Sequence, residues 1–403
     1  MTEAPNVYDA EPIPDAARAE IERLLATGDL FRYTAPADAP VTLLERDFAA
    51  HLGARYALAV SSCSAALFLS LRALDLPVGA RVLIPAFTFA AVPSSIVHAE
   101  CLPVLVEVGE DYRIDMVDFA AKLAAGADAV MISHMRGHTS DMDAILALAQ
   151  EAGVPVIEDA AHSLGTRWHG RNIGTLGRIG CFSFQSYKLV NAGEGGIMVS
   201  DDPDLVARAV IMSGAYEHAW KKHDQDEALR GALSRWQNRL PLYNVRMNNL
   251  SAVLVRAQIP EIDRRVRDGR AGHDHVAARL NGSPWIEVPQ SLGPEERAPD
   301  SIQFNLVGMS DAAVDAFTAA AARQGVKVQV FGRSTDNARA FWNWQFIPGG
   351  PTGDAPDLPK TRAMLMRACD VRLPPRLTQA ELDYVADALL SAADTAMSQE
   401  RAA

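Results

Sequence analysis

The chain has 403 residues and a formal net charge of −12, with no Lys/Arg cluster, so nucleic acid and anionic membrane are poor partners for it. No stretch approaches the roughly 18 apolar residues of a membrane span, and the acidic, Pro-containing start MTEAPNVYDAEPIPDA is unlike a secretory signal. Four widely spaced Cys argue against a zinc site or a disulfide framework, and 49% hydrophobic residues suffice for a full core, so the expectation is a cytoplasmic α/β enzyme without a metal.

In chain order, residues 14–27 read as an amphipathic helix ended by Gly28, and 43–52 as a second helix closed by Gly53. Strand and helix signals then alternate. YALAV (56–60) reads as a strand, SAALFLSLRAL (64–74) as a helix, RVLIP (81–85) as a strand and 89–98 as a helix. Strands follow at 102–108 and 127–134, then a helix at 142–153 and a strand at 154–160. Strands apolar on both faces and separated by helices imply a mostly parallel sheet covered on both sides.

The rhythm changes after 180. CFSFQ (181–185) and GGIMVSD (195–201) read as strands joined by a Gly-rich turn, and 216–248 is charged and aromatic with little periodicity. A long helix is expected over 249–269, bent at Pro260. A strand at 301–308, a helix at 311–325, a strand at 326–331, a long aromatic loop and a helix at 378–397 read as a smaller α+β unit. The expected organisation is therefore a large domain over 1–260 and a small C-terminal domain over 261–403.

In open α/β sheets, ligands bind beyond the carboxyl ends of the strands, and three such ends carry unusual residues. Val60 leads through Ser61, Ser62, Cys63 and Ser64 into a helix, where free N–H groups attract phosphate; a Ser N-cap without a ligand explains it equally. Glu158 and Asp159 end an apolar strand, with His162 three positions on; a helix cap or structural ion pair would place acids there too. Lys188 follows Phe182, Ser183, Phe184, Gln185, Ser186 and Tyr187 and precedes the Gly193–Gly196 run. Such a Lys can be a lowered-pKa amine that forms a Schiff base, or a surface Lys whose stem lies on apolar neighbours. Together, a phosphate cradle, a carboxylate and a Lys are what pyridoxal phosphate requires. Phe89, at another strand end, could stack on its ring. No Gly-x-Gly-x-x-Gly follows the first strand, which excludes a nicotinamide Rossmann enzyme.

The motifs occur in an order that resembles the DegT/DnrJ/EryC1/StrS family, the sugar-aminotransferase branch of fold-type I pyridoxal-phosphate enzymes. The resemblance rests on Leu44 to Phe48 with Leu52-Gly53-Ala54, Ser62 to Leu67, Pro85 to Phe89, Ile157 to His162, Phe182 to Lys188 with Gly193 to Gly196, and Tyr243 to Met247. It implies a fold-type I α/β large domain with a mostly parallel central sheet and a smaller α+β C-terminal domain. It further implies that Lys188 is the Schiff-base lysine and general acid/base, and that Asp159 pairs with the pyridinium nitrogen. Phe89 and His162 would flank the cofactor ring. Ser62, Cys63, Ser64 and Ser183 would contact its phosphate. Asn244 would reach the cofactor of a neighbouring subunit in a homodimer with shared sites.

The sequence departs from the family pattern at Cys63, where relatives carry Gly, and in the segment Gln329-Val330-Phe331-Gly332-Arg333. Substrate contacts are expected from Tyr33, Arg246 and Phe331, and Arg32, Arg136 and Arg333 are candidates for an anionic donor. The implied activity moves an amino group from glutamate or glutamine to a keto sugar or keto cyclitol through pyridoxamine phosphate, in secondary-metabolite or glycan-precursor synthesis. The rivals are a pyridoxal-dependent sugar dehydratase, which has His where Lys188 stands, and a non-catalytic pyridoxal-binding regulator.

Overall fold

The structure, a computed structural model, describes residues 4–34, 38–223, 225–347 and 357–402. The N-terminal half lays down β1 (Tyr56–Val60), β2 (Arg81–Pro85), β3 (Leu102–Val106), β4 (Ala129–Ser133) and β5 (Val156–Asp159). A short hairpin, β6 (Arg167–Trp168) and β7 (Arg171–Asn172), precedes β8 (Ile179–Ser183) and β9 (Gly196–Ser200). Apart from the hairpin, these strands form one sheet in the order β1-β9-β8-β5-β4-β2-β3. All run the same way except β9, which is antiparallel to both neighbours. Six strand ends therefore point to one edge, as a mostly parallel sheet requires.

Side-chain alternation along each strand explains the layers. Leu58, Val60, Val82 and Ile84 pack with α3 (Cys63–Leu74), α4 (Ala91–His98) and α7 (Pro203–Met212). Ala57, Ala59, Leu83 and Val130 face the other way, onto α2 (Pro40–Leu52), α5 (Met116–Ala124), α6 (Met142–Glu151) and α9 (Asn249–Gln258), and α1 (Arg18–Thr27) packs on α9 through Leu24 and Val253. A third apolar cluster runs from Val276 to Met397. It joins α10 (Ile262–Leu280), α11 (Asp311–Arg323) and α13 (Gln379–Ala402) to an antiparallel sheet in the order β10 (Ile286–Glu287), β12 (Ser301–Leu306), β14 (Ala368–Arg372), β13 (Gln329–Val330). Between β10 and β12, β11 (Glu295–Glu296) reaches back to pair with β6.

Several elements differ from the sequence expectation. α5 and α7 were not expected, although Asp115 and Asp202 cap them through their side chains. The stretch 216–248 contains α8 (Glu227–Trp236), capped by Asp226, whose carboxylate also accepts from the Tyr56 hydroxyl at 2.8 Å. The expected helix over 249–269 is two helices interrupted by a 3-10 turn at Ile259–Glu261, where Pro260 lies. The second continues to Leu280, so Gly269 does not end it. A Cβ at Gly269 would lie 2.5 Å from the Pro299 carbonyl oxygen, so this glycine is present for close packing. The strand expected over 326–331 shrinks to Gln329–Val330, because the chain turns into a 3-10 helix at Phe331–Arg333. β14 and α12 (Pro359–Leu365) went unread in the sequence.

Candidate active site

The carboxyl ends of β1, β4, β5 and β8 open into one cavity of about 970 Å³, within the range of small-molecule sites. Ser62, Cys63, Ser64, Phe89, Asp159, His162, Ser183 and Lys188 all line it. Arg136 and Arg333, candidates for an anionic donor, line it as well.

The cradle forms because β1 ends directly in α3. Ser62 is the N-cap, its hydroxyl accepting from the Ala65 N–H at 3.1 Å. The N–H groups of the first helical turn have no intrahelical acceptor and point out along the axis, here those of Cys63 and Ser64. Gly196, at the start of β9, lets the chain pass close behind them: a Cβ there would lie 2.3 Å from the Cys63 nitrogen. Ser183 ends β8 at the same edge, and its hydroxyl accepts from the Gln185 N–H.

Asp159 ends β5 and is 5% exposed. Its partner in register on β4 is Ser133, whose hydroxyl donates to Asp159 Oδ2 at 2.7 Å. Thr88 Oγ1 donates in turn to Ser133 Oγ at 2.9 Å, and the Ala161 N–H donates to Asp159 Oδ1 at 3.1 Å. No described cation forms an ion pair with this carboxylate. Glu158 points to the opposite face. Burial opposes its charge, but the His134 ring and the N–H groups of Gly177 and Gly174 outweigh that and hold its pKa below the usual carboxylate value. The two consecutive acids thus have separate tasks: Glu158 ties loop 174–177 to the sheet, and Asp159 faces the cavity.

Lys188 is half-buried, with its amine inside the cavity. Burial, and then the charge of Arg136, lower its pKa to about 7. Nζ lies 2.8 Å from His162 Nε2. Burial and the cations Lys188, Arg136, Arg339 and Arg372 hold His162 well below its ordinary value, so the ring is neutral. Cys63 Sγ sits 3.9 Å from Asp159 Oδ1, and burial beside that carboxylate keeps the thiol protonated. Phe89 is 44% exposed and offers an open ring face.

The remaining five candidates lie elsewhere. Tyr33 is buried, its hydroxyl 2.8 Å from His223 Nε2. Its neighbour Arg32 makes a fully buried bidentate pair with Glu45, which places it in the core and not at an anion site. Arg246 donates to the Gly214 carbonyl at 2.8 Å. Phe331 is completely buried against Phe87, at 4.8 Å between ring centroids, while Val330 and Arg333 on either side line the cavity. Asn244 is exposed and outside the cavity.

Reasoning from sequence missed Ser133, Thr88, Arg339 and Arg372. Ser133 had a usable signal, a polar residue at the end of an apolar parallel strand. Arg339 and Arg372 had none. No group of His, Cys, Asp and Glu among the described residues is arranged to hold a metal, and no described helix is long and apolar enough to cross a membrane.

A model of the DegT/DnrJ/EryC1/StrS aminotransferase family matches residues 20–390. The chain is 32% identical over 335 residues to the 3-amino-5-hydroxybenzoate synthase of Amycolatopsis mediterranei, covering 81% of this chain and 82% of that one. It is 33% identical over 230 residues to a UDP-N-acetyl-3-dehydro-alpha-D-glucosamine 3-aminotransferase of Acidithiobacillus ferrooxidans, covering 56% of this chain and 58% of that one. The crystal structure of a 3-amino-5-hydroxybenzoic acid synthase superposes with a TM-score of 0.82 at 26% identity, over 97% of this chain and 100% of that one.

Proposed function

The chain belongs to the DegT/DnrJ/EryC1/StrS aminotransferase family, and from that we propose that it holds pyridoxal 5'-phosphate over Lys188 and transfers an amino group from glutamate or glutamine to a keto sugar or keto cyclitol. Its architecture is that of fold-type I pyridoxal-phosphate enzymes, and the family implies the cofactor.

The observation that carries the reading is Asp159. A buried carboxylate without a countercharge costs several kcal/mol, and its two acceptor oxygens are fixed from behind by Ser133 and Ala161. A protonated ring nitrogen is the partner it lacks. The unpaired N–H groups of Cys63 and Ser64, backed by Gly196, suit the phosphate. When bound, the cofactor supplies an electron sink for the carbon that bears the amine.

The chain's own residues do the rest. Lys188, its pKa lowered to about 7, takes or gives a proton near neutral pH at Nζ. His162, kept neutral, accepts from that amine and fixes its direction. Phe89 covers one side of the ring site with an apolar face. Ser133 and Thr88 keep the Asp159 carboxylate in one orientation.

The acceptor class draws support from the two relatives, whose names denote amino-bearing six-membered rings. A shared-site homodimer accounts for Asn244: it is exposed on the stretch 216–248, as are Tyr216 (42%) and Leu242 (48%), and it would reach a partner's cofactor. The separate apolar cluster from Val276 to Met397 supports a smaller C-terminal unit, while Ile262 and apolar residues from Phe331 to Ala368 pack with the large sheet.

The test is to charge the protein with pyridoxamine phosphate and screen keto sugars and keto cyclitols for return of the pyridoxal absorption. Return with a cyclic ketone is the expected result. Purified protein without a borohydride-removable pyridoxal band would overturn the reading.

A further inference from the structure

Ahead of the first helical turn, residues 4–14 form neither helix nor strand, and no backbone–backbone hydrogen bond joins 4–13 to another described residue. Side chains hold this segment instead. Arg376 donates to the Asn6 and Asp9 carbonyls. Val7 packs against the cluster from Val276 to Met397, and Ile13 packs with Leu24 and Val253. The segment is therefore a strap from the C-terminal unit to α1 and α9. Along it, Tyr8 lines the large cavity, while Asp9, Ala10 and Glu11 line, together with Lys188, a second cavity of about 20 Å³.

Three buried polar atoms of residues lining that small cavity have no partner: Glu11 Oε1, Arg265 Nε and Arg372 Nε. Arg265 is only 1% exposed. Its Nη1 is taken by the Leu189 carbonyl at 2.6 Å and by Gln258 Oε1 at 2.9 Å, which leaves Nε over. Arg372 makes no hydrogen bond or ion pair with a described residue, and its guanidinium lies over the Tyr187 ring at 5.1 Å. Arg265 Nε is 3.9 Å from Glu11 Oε2, beyond hydrogen-bond reach. Polar groups held apart at such a distance are the setting for a bridging water, and burying three of them unpaired is costly.

The balance of donors and acceptors decides the ligand. An anion would accept from the two arginine N–H groups but would face a carboxylate oxygen. A metal cation would take that oxygen but would face two N–H groups. Water accepts from both arginines and donates to Glu11, which gives it about three hydrogen bonds, the usual number for a buried water. Water needs roughly 10–15 Å³, so the space suits it and is too small for an organic molecule.

We infer that Glu11, Arg265 and Arg372 bind a water molecule beside Lys188, and that this water fastens the strap that carries Tyr8. The site is built from the chain's own groups and does not depend on the proposed amine transfer. Arg376 holds the strap at Asn6 and Asp9, and the water holds it two residues further on.

A high-resolution crystal structure of the full chain should show one ordered peak within hydrogen-bond distance of all three atoms. No peak, or direct contact between Glu11 Oε1 and the two Nε atoms in its place, would overturn the inference. Deuterium exchange of the amides in peptides covering 4–13 reads the fastening itself. Glu11→Leu keeps a similar volume without an acceptor, and should expel the water and speed exchange by about tenfold. Glu11→Gln keeps an acceptor for the water but gives up the charge that faces Arg264 at 3.5 Å, so its exchange should stay close to wild type. Equal release in the two variants would assign the fastening to the ion pair and sink the inference, as would unchanged exchange in Glu11→Leu.

Discussion

On the floor of the cavity, Asp159, His162 and Lys188 come from the ends of two paired parallel strands, β5 and β8. Around its mouth, Arg339 and Arg372 come from a loop and a strand of the C-terminal part, brought in by contacts such as Phe87 to Ala340. Floor positions follow from strand register: once β4 and β5 pair, Ser133 stands beside Asp159. Mouth positions follow from long-range packing: Phe341 and Trp344, beside Arg339, lie in the same apolar cluster as Val82 and Ile84, whereas Arg372 ends a strand of the cluster from Val276 to Met397. The proposed proton transfer at Lys188 therefore depends on strand register alone, and the arginines at the mouth on longer-range packing.

The sharpest way to break this division is to remove the floor amine. Lys188→Ala should lower amine transfer by about a thousandfold or more, since general acid–base and covalent roles are lost together. The single-turnover rate with L-glutamate reads the loss, with melting temperature as a check on folding. A variant that transfers at the wild-type rate would move the chemistry off the floor.

Asp159→Asn comes next. It keeps the shape and the Ser133 neighbour but removes the charge, and a fall of about a hundredfold in the same rate is expected. Cofactor content measured in parallel distinguishes weakened binding from a slower step. A drop no larger than that of Arg339→Gln would erase the contrast between floor and mouth.

How far each region was legible follows from the same contrast. The sheet and the strand-end residues that line the cavity could be read because apolar strands, small turns and single polar residues at strand ends are local patterns. Tyr33 and Phe331 do not line the cavity, because a side chain's direction is not local. The Tyr33 hydroxyl is claimed by His223, nearly two hundred positions along the chain. Phe331 falls after β13 ends, in a 3-10 turn that sends its ring onto Phe87. The helix Glu227–Trp236 escaped notice because its capping Asp226 is held by Tyr56 and Arg55, a tertiary arrangement that short-range periodicity does not reveal. Arg339 and Arg372 could not be found at all, because an arginine without a partner is recognised only after every neighbour is known.

A third, smaller effect concerns pH. The amine of Lys188 titrates near 7 in the folded chain against an ordinary lysine value of 10.5. Between these values the unfolded chain binds a proton that the folded chain lacks, so stability rises with pH across the window and is lost as pH falls toward 7. Since Lys188 is half-buried, the cofactor-free protein should gain about 1–2 kcal/mol between about pH 7.5 and pH 9.5 relative to Lys188→Met. Urea denaturation of both proteins at the two pH values measures it. Parallel stability curves would mean that the floor does not hold its lysine neutral.

Thr88→Val should have the smallest effect and tests whether the floor is positioned as a unit. Thr88 touches neither Lys188 nor the cradle; its hydroxyl donates to Ser133, which donates to Asp159. Valine keeps the volume and leaves Ser133 free to turn, so the Asp159 carboxylate loses one fixed donor part of the time. Loss of one buried hydrogen bond is worth about 1 kcal/mol, which corresponds to a rate some fivefold lower. A purely structural role would lower the melting temperature and leave the pH dependence of transfer unchanged. A positioning role shifts the pH profile as well, because the group that Asp159 stabilises is itself a protonated one. Ser133→Ala should give the same shift, larger, and in Ser133→Ala protein the further change Thr88→Val should add little, since the two hydroxyls act in series on one carboxylate.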